Sequence, residues 1–175
     1  MIELNIPEDI EKISSLKIGD YVLLSGDLYT ARDQAHKRII NTIKKQETMP
    51  IDLKNKIIFY AGPAPLKKGS KSSAIGPTTS YRMDGYAEKM LENGVRGFIG
   101  KGKRSKEVLE SIKKHKSVYF ITIGGIAAYL SSKIDSMNIV AYEDLGPEAI
   151  YHLKVKDFPC IVAVDSNGND IIAEF

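Results

Sequence analysis

Cysteine and tryptophan are scarce in this 175-residue sequence, which contains one cysteine, Cys160, and no tryptophan. A single cysteine excludes an internal disulfide. It also excludes an iron–sulfur cluster or a cysteine-rich zinc site held by this chain alone. The histidines offer no substitute, because no metal-binding spacing links His36, His115 and His152. We therefore expect this chain to bind no metal by itself.

Long apolar runs and a strong net charge are also absent. No stretch approaches the length needed to span a membrane, and residues 1–7 lack the regions of a signal peptide. We therefore expect a cytoplasmic protein with no membrane partner. The formal net charge is only +3, and the basic residues are spread along the chain. This distribution does not indicate a nucleic-acid partner, and we expect none, whereas a small anionic substrate fits the slight positive excess.

Apolar strand patterns alternate with amphipathic helix patterns through the middle of the chain. The predicted strands cover residues 2–6, 21–26, 57–61, 95–99, 118–123, 138–141 and 151–155, and a hairpin is predicted from 160–165 and 170–174. The predicted helices cover residues 31–45, 80–92, 105–114 and 126–134, with one helical turn at 145–149. We expect a single α/β domain over residues 1–175, with a mixed central sheet and helices packed on it.

The segment of residues 74–86 is predicted to be a loop that turns into a helix. It begins with a Gly-Pro pair, which breaks both helix and strand, and continues with Thr78, Thr79 and Ser80, of which one is expected near the helix N-cap. A helix N-terminus attracts carboxylates and phosphates. Arg82 adds a bidentate cation at a position that the helix dipole disfavours. An ordinary capped helix with a solvated arginine is the alternative, but the early arginine favours an anion site.

Two further cations stand beside predicted turns. Lys101 lies between two glycines after an apolar strand, where backbone and ligand can approach closely. Such turns also commonly hold glycine and lysine without any function. Arg32 opens a predicted helix whose expected N-cap is Thr30. An ion pair of Arg32 with Asp27 or Asp33 agrees with the sequence as well as a bound anion does.

The three cations together suit a substrate with two carboxylates. The arrangements of serine or cysteine nucleophiles are absent, since no Gly-x-Ser-x-Gly motif occurs and Cys160 lies in an apolar strand pattern. His36 lies on the same helical face as Arg32, but a lone histidine is more often structural than catalytic. The chain therefore offers half of an active site, and the other half must come from another chain or a cofactor.

Four motifs follow one another along the chain. They are Gly19-Asp20 with Tyr29–Lys37, then Tyr60-Ala61-Gly62-Pro63, then Gly76–Asp84, then Gly100–Ser105. In this order and spacing they resemble the β subunit of class I fumarate hydratase. The same pattern is typical of the C-terminal domain of one-chain class I fumarases and of the tartrate dehydratase β subunit. The resemblance reaches Tyr142–Gly146 and Phe158-Pro159, so it covers nearly the whole chain.

The resemblance implies a hydro-lyase that interconverts L-malate and fumarate plus water with a [4Fe-4S] cluster. In that family the cysteine-bearing α subunit holds the cluster, whose open iron polarises the C2 hydroxyl of malate. The β part is a swivelling β/β/α domain that closes over the cluster. The resemblance also implies assembly with the α subunit, for example as a heterotetramer, or a homodimer of the isolated chain.

Site residues are carried over by motif. The position of Thr78 corresponds to the base that removes a proton from C3 of malate, and the positions of Arg32, Arg82, Lys101 and Thr79 hold the substrate. A threonine hydroxyl is a poor base and needs nearby cations in a water-excluded site. Because Arg82 follows Thr78 by four residues, we expect the two on one helical face.

Two other functions agree with the sequence. A tartrate dehydratase would act on a substrate with one more hydroxyl. A non-catalytic module would use the same cationic loops to bind an anionic metabolite or RNA, and it would do so without a partner chain.

Overall fold

A computed structural model describes residues 1–65, 69, 73–122 and 127–172. The strands are β1 Ile2–Ile6, β2 Tyr21–Thr30, β3 Ile57–Phe59, β4 Gly97–Gly100, β5 Val118–Ile121, β6 Ile134–Ala141 and β7 Ile150–Val164. The helices are α1 Asp33–Lys44, α2 Asp84–Glu92, α3 Lys106–His115 and α4 Ala127–Ser131. Three 3-10 turns cover Ile10–Ser15, Ser80–Met83 and Glu143–Glu148.

The described strands form a closed ring of β2, β3, β4, β5 and β7, and two further strands, β1 and β6, pair with β2 and β7. β2, β3, β4 and β5 pair in this order and are parallel. β7 runs antiparallel and closes the ring, because it pairs with β5 on one side and with β2 on the other. β1 lies parallel to the first half of β2, and β6 lies antiparallel to the first half of β7. The predicted mixed central sheet is therefore confirmed.

Alternating residues of the strands bury their side chains in two separate apolar clusters. Ile57 and Phe59 of β3 belong to an inner cluster that consists mainly of strand residues, whereas Ile58 belongs to an outer cluster with residues of α1, α2 and α3. This period of two is the pattern of a strand that is covered on both faces. The result is a β/β/α arrangement of layers, with helices packed on the sheet as predicted. The swivelling of this domain against a partner stays a prediction.

For helix α1, the sequence pattern predicted the buried face correctly and the N-cap wrongly. Its apolar positions Ala35, Ile39 and Ile40 are buried as predicted, and each buried isoleucine contributes about 1.5–3 kcal/mol. The prediction of Thr30 as N-cap is wrong, because Thr30 is the last residue of β2. Its hydroxyl donates to Ala149 O at 3.4 Å and accepts from the amide of Tyr151 at 3.0 Å. Because it pairs with β7, β2 continues through Thr30, and the Thr30 hydroxyl is hydrogen-bonded there instead of capping α1.

The C-terminal third differs most from the predictions. Ile134 begins β6 instead of ending a helix, and in the described residues the preceding helix α4 covers Ala127–Ser131. The predicted hairpin is reduced to a turn after β7, followed by one bridge between Val164 and Asp170. The long edge of β7 explains the first difference, since it offers hydrogen bonds along the whole of β6. The predicted ends at Ile123, Ile126 and Glu174 lie outside the described residues.

The ends of two other helices agree with the sequence. Ser105 is the N-cap of α3, and its hydroxyl accepts from the amide of Val108. Gly94, after the end of α2, has a φ of +97°, which suits a glycine C-cap. Among the described residues, no helix is long and apolar enough to cross a bilayer.

Candidate active site

Three of the residues predicted for the site lie at the carboxyl ends of neighbouring parallel strands. Arg32 follows the end of β2 by two residues, and Lys101 follows β4 directly. Between them, Thr78 is hydrogen-bonded to Tyr60, the residue after β3. In open and mixed sheets, the carboxyl ends of parallel strands meet at one edge, and ligands commonly bind there. The fold therefore brings Arg32, Thr78 and Lys101 to the same edge.

The segment that contains the threonines crosses this edge in an extended conformation. The amide and hydroxyl of Thr78 both donate to Tyr60 O, at 2.7 and 2.9 Å. Thr79 forms a parallel bridge with Lys101 and is exposed, whereas Thr78 is half-buried. The prediction that one of the three hydroxyl residues lies near the N-cap is confirmed in position, because Thr79 occupies the N-cap of the helical segment that begins at Ser80, although the Thr79 side chain makes no capping bond. The hydroxyls are held by strand ends rather than by a helix terminus.

Arg32 occupies the N-cap position of α1 in an extended conformation. A Cβ atom on Gly62 would lie 3.0 Å from both Cδ and Nη1 of Arg32 and 2.6 Å from Pro147 O. Gly62 therefore makes room for the arginine side chain. The Nε of Arg32 is buried and has no hydrogen-bond partner among the described residues. A buried donor without a partner costs about 1–3 kcal/mol, so a bound anion would remove this cost.

Arg82 makes a forked ion pair with Asp33, with Nε–Oδ1 at 3.2 Å and Nη2–Oδ2 at 3.3 Å. Asp33 adjoins Arg32 in sequence, so both arginines lie at the start of α1. The ion pair considered for Arg32 is not present in the described part of the chain, because Asp33 pairs with Arg82 and Asp27 pairs with His152 and Lys154. The expectation that Thr78 and Arg82 share a helical face is wrong, since Thr78 precedes the helical segment.

His36 supports the turn of Arg32 from within the core. Its Nδ1 lies 2.8 Å from Arg32 O, and because a carbonyl only accepts, Nδ1 carries the proton. The ring is fully buried and stacks on Tyr86 at a centroid distance of 5.5 Å. Burial lowers the pKa of His36 to about 4, so the ring is neutral at pH 7. The structural interpretation of this histidine fits these contacts.

Comparison with known proteins identifies the family. Residues 1–175 match the family model described as "Fumarase C-terminus". The chain belongs to this family.

Relatives in the family fall into two length classes. A Methanocaldococcus jannaschii protein, provisionally named as an L(+)-tartrate dehydratase subunit beta, is 41% identical over 93% of this chain and 86% of its own length. The L(+)-tartrate dehydratase subunit beta of Escherichia coli is 35% identical over 98% of this chain and 86% of its own length. The aerobic class I fumarate hydratase of Escherichia coli is 36% identical over 99% of this chain but 32% of its own length. The chain thus spans most of the former and about a third of the latter.

The motif Gly100–Ser105 of this fumarase C-terminal chain contains a residue that sequence reasoning passed over. The side chain of Arg104 is fully buried, and its Nε donates to Asp84 Oδ1 at 2.6 Å. Its Nη2 donates to Tyr60 Oη at 3.1 Å, and its guanidinium lies 4.9 Å from the ring centre of Tyr119. A basic run normally indicates a solvated surface, so no local signal marks this arginine as part of the core.

The described residues of this fumarase C-terminal chain do not fit an iron–sulfur cluster. Cys160 is buried in β7, and burial raises the pKa of its thiol, so the thiolate that a cluster needs is disfavoured. No group of three or more His, Cys, Asp or Glu side chains in the described part of the chain could hold a metal ion.

Proposed function

We propose that this chain is the β-type part of a hydro-lyase that interconverts L-malate and fumarate plus water. The observation that carries the proposal is the convergence of Arg32, Thr78 and Lys101 at the carboxyl ends of β2, β3 and β4. Membership in the Fumarase C-terminus family supports the reaction class. The same chain would be inactive without a partner that completes the site.

The cations would clamp the two carboxylates of the substrate. Arg32 has a buried, unpartnered Nε, and the described residues give the exposed Lys101 no ion-pair partner. Arg82 uses its Nε and Nη2 for Asp33, which leaves Nη1 for a ligand. The guanidinium of Arg32, the remaining Nη1 of Arg82 and the point charge of Lys101 together match a substrate with a carboxylate at each end. Thr79, exposed beside Lys101, would contribute a hydroxyl to the same substrate.

Thr78 would act as the base toward the proton on C3. In the described conformation its hydroxyl donates to Tyr60 O, which favours the neutral hydroxyl. Loss of the hydroxyl proton therefore requires that surrounding cations and exclusion of water outweigh this bond. Closure of a partner chain over the strand ends would provide the exclusion of water and bring the substrate to Thr78.

The partner would be a cysteine-bearing α subunit that holds the [4Fe-4S] cluster, for example in a heterotetramer. Such a cluster supplies a Lewis acid toward the hydroxyl that leaves the substrate. The part played by this chain is to bind and orient the dicarboxylate and to accept the proton.

Tartrate is the second candidate substrate, and a specific observation favours it. The Methanocaldococcus jannaschii relative provisionally named as an L(+)-tartrate dehydratase subunit beta is 41% identical to this chain, compared with 36% for the aerobic class I fumarate hydratase of Escherichia coli. L-malate and L(+)-tartrate differ by one hydroxyl, so the same carboxylate clamp serves both.

Purification from the native source under anaerobic conditions tests the proposal. We expect an iron-containing chain of larger mass to co-purify and the complex to dehydrate L-malate or L(+)-tartrate. A panel of both substrates and their enantiomers would distinguish the two candidates. The isolated chain serves as the control and should be inactive. Tight binding of an anionic metabolite by the isolated chain, with no iron-dependent activity in any complex, would instead show a binding module.

A further inference from the structure

A chain of buried hydroxyls supports the turn that carries Lys101. The amide of Ser80 donates to Lys101 O at 3.1 Å, and the amide of Lys101 donates to Ser80 Oγ at 3.1 Å. Ser80 is thus hydrogen-bonded to both the carbonyl and the amide of Lys101. Ser80 is fully buried, although Lys101 itself is exposed.

Tyr119 of β5 continues this chain of hydrogen bonds. Its Oη lies 2.9 Å from Ser80 Oγ and 3.0 Å from Gly102 O. Gly102 O can only accept, so we assign the single phenolic proton to it, and Ser80 donates its own proton to Tyr119. The Ser80 oxygen remains free to accept from Lys101 N. In this series of hydrogen bonds, from the amide of Lys101 to the carbonyl of Gly102, each of the two hydroxyls then donates once and accepts once.

Neighbouring residues leave the two hydroxyls little freedom. A Cβ atom on Gly100 would collide with Ser80 Oγ and lie 3.0 Å from Tyr60 Cδ2. The guanidinium of Arg104 packs on the ring of Tyr119. Burial raises the pKa of Tyr119 to about 12, so its hydroxyl keeps its proton at physiological pH. The hydroxyls therefore form a rigid support beneath an exposed lysine.

We propose that Ser80 and Tyr119 are positioning residues that fix the backbone from which the side chain of Lys101 extends toward a substrate carboxylate. This inference rests on the proposed function for the identity of the ligand, but the support itself is a property of the free chain. The hydroxyls do not touch the substrate and act only through the backbone at Lys101 and Gly102.

Hydrogen exchange of the Lys101 amide in the free chain is the first test. Loss of one hydrogen bond corresponds to a factor of about five to ten in exchange rate, which is the expected acceleration in Ser80→Ala. Tyr119→Phe should give a smaller acceleration, because Ser80 Oγ still accepts from Lys101. The matched control is Ser117→Ala, which removes another fully buried hydroxyl, bonded to Arg96 O at 2.7 Å before the start of β5. The control should leave Lys101 exchange unchanged.

Steady-state kinetics of the reconstituted complex is the second test. In Ser80→Ala we expect KM for the dicarboxylate to rise about tenfold while kcat stays within about threefold, because the defect lies in carboxylate binding. Gly100→Ala, which displaces the Ser80 hydroxyl without deleting it, should reproduce the rise in KM. In a Lys101→Ala background, Ser80→Ala should change KM by less than about twofold, since its effect passes through Lys101.

The outcomes separate this inference from the proposed function. Unchanged Lys101 exchange in Ser80→Ala would overturn the inference, and so would a full KM effect in the Lys101→Ala background. A complex that turns over no dicarboxylate would refute the proposed function, while the exchange rates would still decide whether Ser80 and Tyr119 hold Lys101 in place.

Discussion

Substitution of Arg104 by methionine should destabilise the protein far more than the loss of an ordinary ion pair. The side chain of Arg104 is 0% exposed, and that of its partner Asp84 is 10% exposed. Breaking a buried pair leaves an uncompensated charge and costs about 3–5 kcal/mol. In a chain of this length, 1 kcal/mol shifts Tm by about 2–4 °C, so the expected loss in Tm is on the order of 10 °C.

The matched control is Arg82→Met, because Arg82 also pairs with an aspartate but on the surface. The side chains of Arg82 and Asp33 are 46% and 33% exposed, and exposed pairs contribute about 0–1 kcal/mol. Thermal and urea unfolding of the isolated chain, followed by circular dichroism, measures both variants. Equal stability of Arg104→Met and Arg82→Met would refute the reasoning.

A second substitution at Asp84 tests the cause. Asp84→Asn should destabilise the wild-type protein, because it weakens the pair with Arg104. In the Arg104→Met background the same change should be stabilising, since it removes the carboxylate that is left unpaired. Asp84 also accepts from the amide of Ser105, and an asparagine oxygen preserves that bond. Arg104→Lys should lie between the wild type and Arg104→Met, because it keeps the charge and loses the fork.

Further predictions concern the site and the pH dependence of stability. Thr78→Ala should lower kcat of the reconstituted complex by about 100-fold or more, the scale of a lost general base, with an unchanged iron content; retained activity would remove Thr78 from the mechanism. Arg82→Lys should raise KM several-fold, because an ammonium group lacks the planar guanidinium that pairs with Asp33 through Nε and Nη2 and leaves Nη1 for the substrate. Initial-rate measurements would show the change, and an unchanged KM would exclude Arg82 from the clamp. The folded pKa of His36 is about 4 and its unfolded pKa is about 6.5, so the unfolded state binds more protons and stability falls as pH decreases from about 6.5 to 4. Between pH 6.5 and 4, the free energy of unfolding of the wild-type protein, measured by urea titration, should fall by about 3 kcal/mol more than that of His36→Gln. Parallel plots of the two free energies against pH would contradict a buried neutral ring.

The strands and helices were largely predictable because their signals are local. Apolar runs and helical periodicity placed β1, β3, β4, α1 and α3 within a few residues. Thr30 was misplaced because the partner of its hydroxyl lies on β7, which no local pattern indicates. The extent of β6 was missed for the same reason, since its hydrogen bonds come from a distant strand.

The residues of the candidate site were predicted from sequence motifs more than from the spacing of apolar residues. Residue types and the resemblance pointed to Arg32, Thr78 and Lys101, which the fold brings to one edge. The pairing of Arg82 with Asp33 was not predicted, because Asp33 was considered as a partner of Arg32 and Arg82 as a solvated or anion-binding side chain. The role of Arg104 was missed because its surroundings come from distant parts of the sequence, namely the rings of Tyr60 after β3, Phe98 of β4 and Tyr119 of β5. A basic run gives no indication of that environment.

The late position of β7 in the chain has a consequence for biosynthesis. Thr30 and Tyr151 are hydrogen-bonded although 121 positions separate them. A growing polypeptide on the ribosome therefore carries β2 without its antiparallel neighbour until residues 150–164 have been made. Contacts between such distant segments form slowly, and apolar strands without neighbours are prone to aggregate. We expect chaperones to bind nascent chains that end before residue 150, because β7 is not yet present to close the ring.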